Sequence, residues 1–459
     1  MPGAVLLAGP PVTDLADHRR RGGGDAIEIA RRYGSDATIE ELEASGLRGR
    51  GGAGFPTGLK WRSIVAGGSE AGDRFVVANG AEGEPGTFKD RTLLRHDPYA
   101  VLEGLLISAR TVGATQAYVA LKASFAPELA RVRAAVDEMA AAGWLDDVRI
   151  DIVEGPDEYL FGEEKGLLQV IQGEDPLPGI FPPYVHGLFS TAPQVGWSAG
   201  TDRSTTGPTV PSSNPTLVNN VETLANVPTI LREGAGWFRQ LGTVESPGTV
   251  ICTVSGDTVR HGVGEYELGT SLEQIIVDLG SGLPDGRAVR YVLSGVANPV
   301  IRGADVTLPV SYEGLEAIGS GLGAAGFTVY DDTTDPVELA AAVSRFLAVE
   351  SCGQCPACKL GTAAVTEDLE ALAAEGGDAR RLAVIDARLA NVTDAARCYL
   401  PTQEQRVVAS LLPDLRDPAA RAGTRHRGLL VTKLVDLVDG RFHVDERQAR
   451  KRPDWTYAD

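Results

Sequence analysis

Cys352, Cys355 and Cys358 share one short stretch, Ser351-Cys352-Gly353-Gln354-Cys355-Pro356-Ala357-Cys358, and Cys398 follows 40 positions after Cys358. A Cys-x-x-Cys-x-x-Cys run aims three thiolates from one tight loop at a common centre. The chain must then fold the intervening residues so that a distant fourth thiolate arrives there. That donor pattern is the usual ligation of a cubane [4Fe–4S] cluster. Zinc also takes four thiolates, but its structural sites usually pair two Cys-x-x-Cys knuckles. A disulfide framework fits poorly, because the three cysteines are too close and no secretory signal is read at the N-terminus. The fifth cysteine, Cys252, lies in the apolar run Thr249–Val254 and is expected to be a buried strand residue without chemistry.

The formal net charge of -19 repels nucleic acid phosphates and argues against a polyanion-binding role. No apolar run reaches the ~18 residues of a membrane helix. A cytoplasmic protein is expected, reaching the inner face of a membrane only through partners.

Along the chain, residues 1–35 read as irregular, and a short helix is expected over Thr38–Glu43. Phe75–Ala78, Ala117–Leu121 and Val148–Val153 read as buried strands. Between them Pro98–Val112, capped by Asp97, and Pro127–Ala142 have helical periodicity. This βαβαβ order predicts an α/β unit with a parallel sheet, spanning 36–240. Residues 174–216 form a Pro/Gly/Ser/Thr-rich loop region. From 245 to 333 the pattern becomes short strands (Thr249–Val254, Glu265–Leu268, Ala288–Ser294, Val306–Val310, Phe327–Tyr330) with a helix at Ser271–Leu279. Asp335-Pro336 then caps a helical domain over 335–415 that holds the cysteines. Residues 416–459 are expected to be a tail docked on the body or on a partner.

Three further motifs lie in the α/β unit. Gly46-Leu47-Arg48-Gly49-Arg50-Gly51-Gly52-Ala53-Gly54-Phe55-Pro56-Thr57-Gly58-Leu59-Lys60-Trp61 follows a helix rather than a strand, so the dinucleotide fingerprint is not met. Closely spaced glycines still let backbone N–H groups approach a phosphate, with Arg50 and Lys60 adding charge. Asn79–Arg91 and Tyr159–Glu164 sit past the carboxyl ends of predicted strands, where parallel sheets bind ligands.

Together with Val218-Asn219-Asn220-Val221-Glu222 and the cysteine motif, these stretches resemble the NADH-binding flavoprotein subunit of respiratory complex I, with relatives in NAD-linked hydrogenases and formate dehydrogenases. The resemblance covers roughly 35 to 410. It implies a Rossmann-like FMN-binding domain, a ubiquitin-like β-grasp (SLBB) domain and a helical [4Fe–4S] domain. It places Gly49, Arg50, Gly51, Gly52, Gly54 and Lys60 around the FMN phosphate. It lines the flavin with Asn79, Glu82, Tyr159, Gly162, Glu163, Asn219 and Asn220. Phe55, Glu84, Glu164 and Tyr184 face NADH, and Cys352, Cys355, Cys358 and Cys398 hold the cluster. The implied chemistry is hydride transfer from NADH to the flavin and single-electron passage to the cluster. The implied partners are a small [2Fe–2S] protein or ferredoxin and a larger iron–sulfur or catalytic subunit.

Departures concentrate on the nucleotide side. A flavin-contacting acid of the family is Ala81 here, and the Gly-Glu-Glu-Thr motif ends in Lys165. A stretch usually basic reads Glu174-Asp175-Pro176-Leu177-Pro178-Gly179-Ile180-Phe181-Pro182-Pro183-Tyr184. Losing cations weakens the strong charge-assisted contacts to a phosphate. The alternatives to NADH oxidation are a flavin and iron–sulfur relay between redox proteins, and a zinc-bearing scaffold without redox chemistry. Metal analysis separates the last from the others: the purified protein is expected to carry iron with inorganic sulfide, and zinc alone would reject the cluster.

Overall fold

The computed structural model describes residues 4–66, 73–191, 212–375 and 379–458. Met1–Gly3 of the N-terminal reading and residues 192–211 of the Pro/Gly-rich loop lie outside them.

The segment expected to be irregular is instead helical in large part. Helix α1 (Leu15–Arg20) is capped by Asp14, whose carboxylate accepts from Asp17 N, and α2 runs over Asp25–Ser45. The helix expected at Thr38–Glu43 is only the second half of α2. Gly34, at φ 74° and ψ 179°, interrupts the helix and breaks its apolar periodicity, which hid its first half. Burial then holds this part in place: Ala26 and Ile27 enter the core, and His18 reaches Glu103 at 2.8 Å.

After the glycine loop come α3 (Thr57–Ala66), β1 (Phe75–Asn79), α4 (Lys89–His96), α5 (Pro98–Val112), β2 (Gln116–Lys122), α6 (Ala126–Ala141) and β3 (Arg149–Gly155). Then follow α7 (Glu164–Ile171), β4 (Thr216–Asn220), α8 (Val221–Glu233) and the single turn α9 (Ala235–Phe238). The sheet is parallel throughout, in the order β3-β2-β1-β4. Asp97 caps α5 as expected, accepting from Ala100 N at 3.0 Å. Helices α5 and α8 pack backbone to backbone: a Cβ on Gly104 would sit 2.0 Å from the Leu224 carbonyl. Strand β1 continues to β2 on one side while β4 lies on the other. The loops after β1 and β4 meet at the carboxyl edge of the sheet, where such sheets bind ligands: Asn220 Nδ2 donates to Asn79 O at 3.3 Å.

A second sheet, ordered β6-β5-β9-β7-β8, contains β5 (Thr249–Gly256), β6 (Gly262–Glu267), β7 (Val289–Ser294), β8 (Ile301–Arg302) and β9 (Gly326–Asp331). Strands β5 and β9 are parallel and the other pairs antiparallel. Helix α10 (Leu272–Gly280) buries Leu272, Ile275 and Ile276 against Cys252 and Phe327, and α11 (Tyr312–Glu316) precedes β9. Cys252 is a buried strand residue, as expected, and burial pushes its thiol far up. The strand expected at Val306–Val310 does not form. Its carbonyls receive the start of α10 instead: Glu273 N donates to Val306 O and Leu272 N to Leu308 O. Pro309 also has no N–H to give a ladder.

The cysteines belong to four helices, α12 (Pro336–Glu350), α13 (Pro356–Glu375), α14 (Ala379–Leu389) and α15 (Leu400–Arg416). Asp335 caps α12, accepting from Val337 N at 2.9 Å. The last segment folds back as a hairpin, β10 (Leu434–Val438) with β11 (Arg441–Val444). It touches the first domain through Arg91 to Leu434 O (2.7 Å), the second through Phe442 N to His261 (2.9 Å), and the helices through Lys451 to Glu350 (2.9 Å). No helix among the described residues is long and apolar enough to cross a membrane.

His18 gives the N-terminal docking a pH dependence. Burial opposes the charged ring, but Asp97 and Glu103 outweigh it and raise the pKa to about 9. The folded value lies above the unfolded one, so the stabilisation is complete below about pH 6.5 and is lost as pH rises through about 9. Denaturant melts are expected to show ~2–4 kcal/mol of stability disappearing across that window, and His18→Gln should flatten the slope.

Candidate functional site

Two sites stand on either side of one turn. The first is lined by Cys352, Cys355, Cys358 and Cys398 with Leu160, Pro178, Leu400 and Pro401. Its loop leaves α12 and enters α13, and Cys398 stands just before α15, so helix N-termini face the sulfurs and favour negative charge there. Lys359 Nζ closes the loop by donating to Ser351 O (2.5 Å) and Ala348 O (3.2 Å). Burial pushes Cys358 up to about 11, against a hydrogen bond with Ser351, and Cys398 up to about 12, against the Leu400 N–H. Two thiols so disfavoured as anions ionise readily beside a cationic centre. Among the described residues no three His, Cys, Asp or Glu side chains converge on one ion, yet the four sulfurs face one hollow. Four thiolates on one site, three of them from one loop, suit a [4Fe–4S] cluster.

The second site lies at the carboxyl ends of β1 and β4. Asn79 Nδ2 donates to Gly162 O at 2.9 Å, and Trp61 Nε1 donates to Asn219 Oδ1 at 2.9 Å. Asn220 Nδ2 donates to Asp90 Oδ2 at 2.8 Å. Gly51 passes so close that a Cβ there would lie 3.1 Å from Asn220 Cβ. The glycine loop and the strand ends thus form one cradle, whose backbone approach suits a phosphate-bearing planar cofactor.

Beneath the cradle is a buried charge cluster that the sequence motifs contained but did not single out. Lys89 Nζ meets Asp90 at 2.6 Å and Glu222 at 2.8 Å. Glu82 accepts from Arg91 Nε (2.9 Å) and from the N–H groups of Lys89 and Asp90 at the start of α4. Burial, only partly countered by Lys89, raises Asp90 to about 6. Glu82 therefore acts below the cradle, where the motif expectation had it lining the flavin.

Arg50 departs from expectation. Its guanidinium donates to Thr249 O (3.1 Å), Pro247 O (3.1 Å), Arg48 O (3.2 Å) and the Tyr312 hydroxyl (3.4 Å). It is 2% exposed and rivets the glycine loop to the second sheet instead of offering charge to a phosphate. A formal positive charge in a glycine loop carries no signal that tells these two fates apart. Lys60 remains at the rim, paired with Glu164 at 2.9 Å. Gly49, Gly52 and Gly54 lie in the same loop. Gly54, at φ +62°, is pressed against Tyr312, where a Cβ would come within 2.4 Å of the ring.

Phe55 and Tyr184 stand half exposed. Glu174 and Asp175, which replace cations, face solvent. Glu163 caps α7, accepting from the N–H groups of Lys165 and Gly166, and burial raises it to about 7. The turn Tyr159–Gly162 separates the two sites: Leu160 lines the cysteine hollow while Gly162 O binds Asn79 on the other side. The Tyr159 hydroxyl donates to Glu84 Oε2 at 2.6 Å and accepts from Gln403 Nε2 at 2.7 Å. Gln403 had no sequence signal at all.

Arg50→Met strands several buried carbonyls. It is expected to lower stability by ~2–3 kcal/mol in denaturant melts while leaving FMN affinity within about tenfold, since the charge does not face the cradle.

The geometry matches known proteins along most of its length. Residues 42–229 match the Nuo51 FMN-binding domain, and 338–421 match the NADH-ubiquinone oxidoreductase-F iron-sulfur binding region. The second F subunit of the NADH-quinone oxidoreductase of Rhizobium meliloti is 35% identical over 399 residues, covering 83% of this chain and 89% of that one. The corresponding F subunit of Streptomyces coelicolor is 33% identical, covering 83% and 82%. Among solved structures, a chain of an NAD+-reducing [NiFe]-hydrogenase in the H2-reduced state superposes with a TM-score of 0.75 at 29% identity, covering 93% of this chain and 68% of that one. With its FMN-binding domain and its 4Fe–4S region both in place, the chain belongs to the F-subunit family of the NADH-quinone oxidoreductases.

Proposed function

We propose that the chain is the electron-entry subunit of an oxidoreductase complex: it oxidises NADH at FMN in the cradle and delivers single electrons by way of a [4Fe–4S] cluster on Cys352, Cys355, Cys358 and Cys398. The observation that carries this reading is the shared turn, with Leu160 on the cysteine hollow and Gly162 on the cradle. Bound FMN supplies the exchange between electron pairs and single electrons.

The chain's own residues bind, orient and shield. Gly49, Gly51, Gly52 and Gly54 admit the phosphate end, with Lys60 at the rim. Asn79, Gly162, Glu163, Asn219 and Asn220 border the ring site, Tyr159 stands in the turn beside it, and Glu82 braces the start of α4 below it. Phe55 and Tyr184 offer aromatic faces to a nucleotide, with Glu84 and Glu164 as acceptors for its hydroxyl or amide protons. Exposed Glu174 and Asp175 disfavour an additional phosphate, which supports NADH over NADPH.

The middle domain (245–333) is read as a β-grasp of the SLBB type. Counted from β5, its order is second, first, fifth, third, fourth strand, with a helix after the first hairpin. It lies between the 36–240 and 335–415 domains. The relatives are subunits of an NADH-quinone oxidoreductase and of a hydrogenase by name. The partners proposed are accordingly a small [2Fe–2S] protein or ferredoxin and a larger iron–sulfur or catalytic subunit.

Glu174 and Asp175 also favour a second reading, a relay in which another redox protein reduces the flavin. Anaerobic titration of the FMN- and cluster-loaded protein decides between them. NADH is expected to bleach the flavin and bring up the EPR signal of a reduced cluster. Bleaching by dithionite but not by NADH would reject NADH as donor and leave the relay.

A further inference from the structure

Glu84 follows β1 in the acidic loop, and its carboxylate is held directly from two parts of the fold and from a third through Tyr159. Val296 N, of the second sheet's domain, donates to Oε1 at 2.6 Å, and Tyr159 donates to Oε2 at 2.6 Å. Behind Tyr159 stands Gln403 of α15, five residues after Cys398, 6% exposed, with Nε2 2.7 Å from the phenolic oxygen. Gly295, at φ +61°, makes room: a Cβ there would sit 2.2 Å from Glu84 Oε1. The tyrosine ring meets Phe346 of α12 edge-on at 5.4 Å, and its N–H donates to Glu350 at 3.0 Å. Tyr159 therefore has no freedom to swing away.

Burial raises the Glu84 pKa against the bonds from Tyr159 and Val296 N, and with the carboxylate ionised the chain of bonds has one direction. A phenol carries one proton. An ionised Glu84 has none to give, so Tyr159 must donate to it, and Gln403 can then meet the phenolic oxygen only through its amide N–H. Each bond polarises the next, and the short contact to the carboxylate is charge-assisted. Replacing the amide by an acceptor would reverse the donor at the far end and turn the phenolic proton away from Glu84.

We propose that Gln403 is a positioning residue for nucleotide binding, acting through Tyr159 to hold Glu84 in one orientation, so that the cluster-bearing domain sets the geometry of the nucleotide site. This rests on the reading of Glu84 as an NADH-facing residue. In this arrangement the Tyr159 hydroxyl is taken up by Glu84 and Gln403. Gln403 lies on a helix that also follows a cluster cysteine, so docking of that helix and alignment of Glu84 are one structural event.

The test uses the full chain loaded with FMN and cluster, with ferricyanide as acceptor and cluster EPR confirming loading. Glu84→Gln, Tyr159→Phe and Gln403→Leu are each expected to raise KM for NADH about tenfold and leave kcat within about twofold. Gln403→Glu keeps the size but reverses the bond, and should raise KM as much. The double variant Gln403→Leu/Glu84→Gln should be no worse than Glu84→Gln alone, because both remove one unit. Where Gln403→Leu fails to load its cluster, Gln403→Glu and Tyr159→Phe carry the test. An unchanged KM in Gln403→Glu, or multiplying effects in the double variant, would overturn the proposal while Glu84→Gln still raises KM. An unchanged KM in Glu84→Gln would reject the reading of Glu84 itself, and the proposal with it.

Discussion

The buried carboxylate of Glu350 is the interaction on which the rest of the structure leans. It is fully enclosed at the end of α12, one residue before the cysteine loop. Lys451 Nζ reaches its oxygens at 2.9 and 3.0 Å, Lys433 Nζ lies at 3.5 Å, Gln448 Nε2 at 3.3 Å, and Tyr159 N donates at 3.0 Å. Burial alone would lift its pKa, but the two lysines and these hydrogen bonds hold it below the ordinary carboxylate range. An unpaired charge in that place would cost several kcal/mol. The C-terminal segment, the Tyr159 turn and the start of the cysteine loop must therefore order together, and the cysteine hollow and the cradle inherit their separation from that shared ordering.

A similar arrangement sits below the cradle. The chain is strongly acidic overall, yet Lys89 and Arg91 are paired with Glu82, Asp90 and Glu222 inside the fold. What the cradle presents above them is largely neutral: asparagine amides, the Gly162 carbonyl and glycine backbone. Charge is thus placed where it fixes Asn220 and the start of α4, and kept off the surface that approaches the cofactor. Rigid amides in a dry setting orient a planar ring without reorganising as its charge changes.

Much of this was legible in the residues themselves. Asp97-Pro98 and Asp335-Pro336 announced their helices because a cap and a fixed φ act within one turn. The cysteine spacing announced its site because three donors on one loop leave few geometries. The first half of α2 was not legible, since Gly34 interrupts the helix and only packing restores it. Nor was the fate of Val306–Val310, whose apolar alternation suits a strand but whose carbonyls are claimed by α10.

The sequence by itself determined the local facts: the βαβαβ order, the helical cysteine domain, the glycine loop and the family they belong to. These follow from periodicity, capping and donor spacing, each readable within a few residues. Tertiary structure alone decided the fate of individual polar groups. Arg50 binds carbonyls of the second sheet rather than a phosphate, Glu82 caps α4 rather than facing the cradle, and Gln403 reaches Tyr159 across 244 positions. A long polar side chain takes whichever partner burial brings near, and burial is a property of the assembled fold.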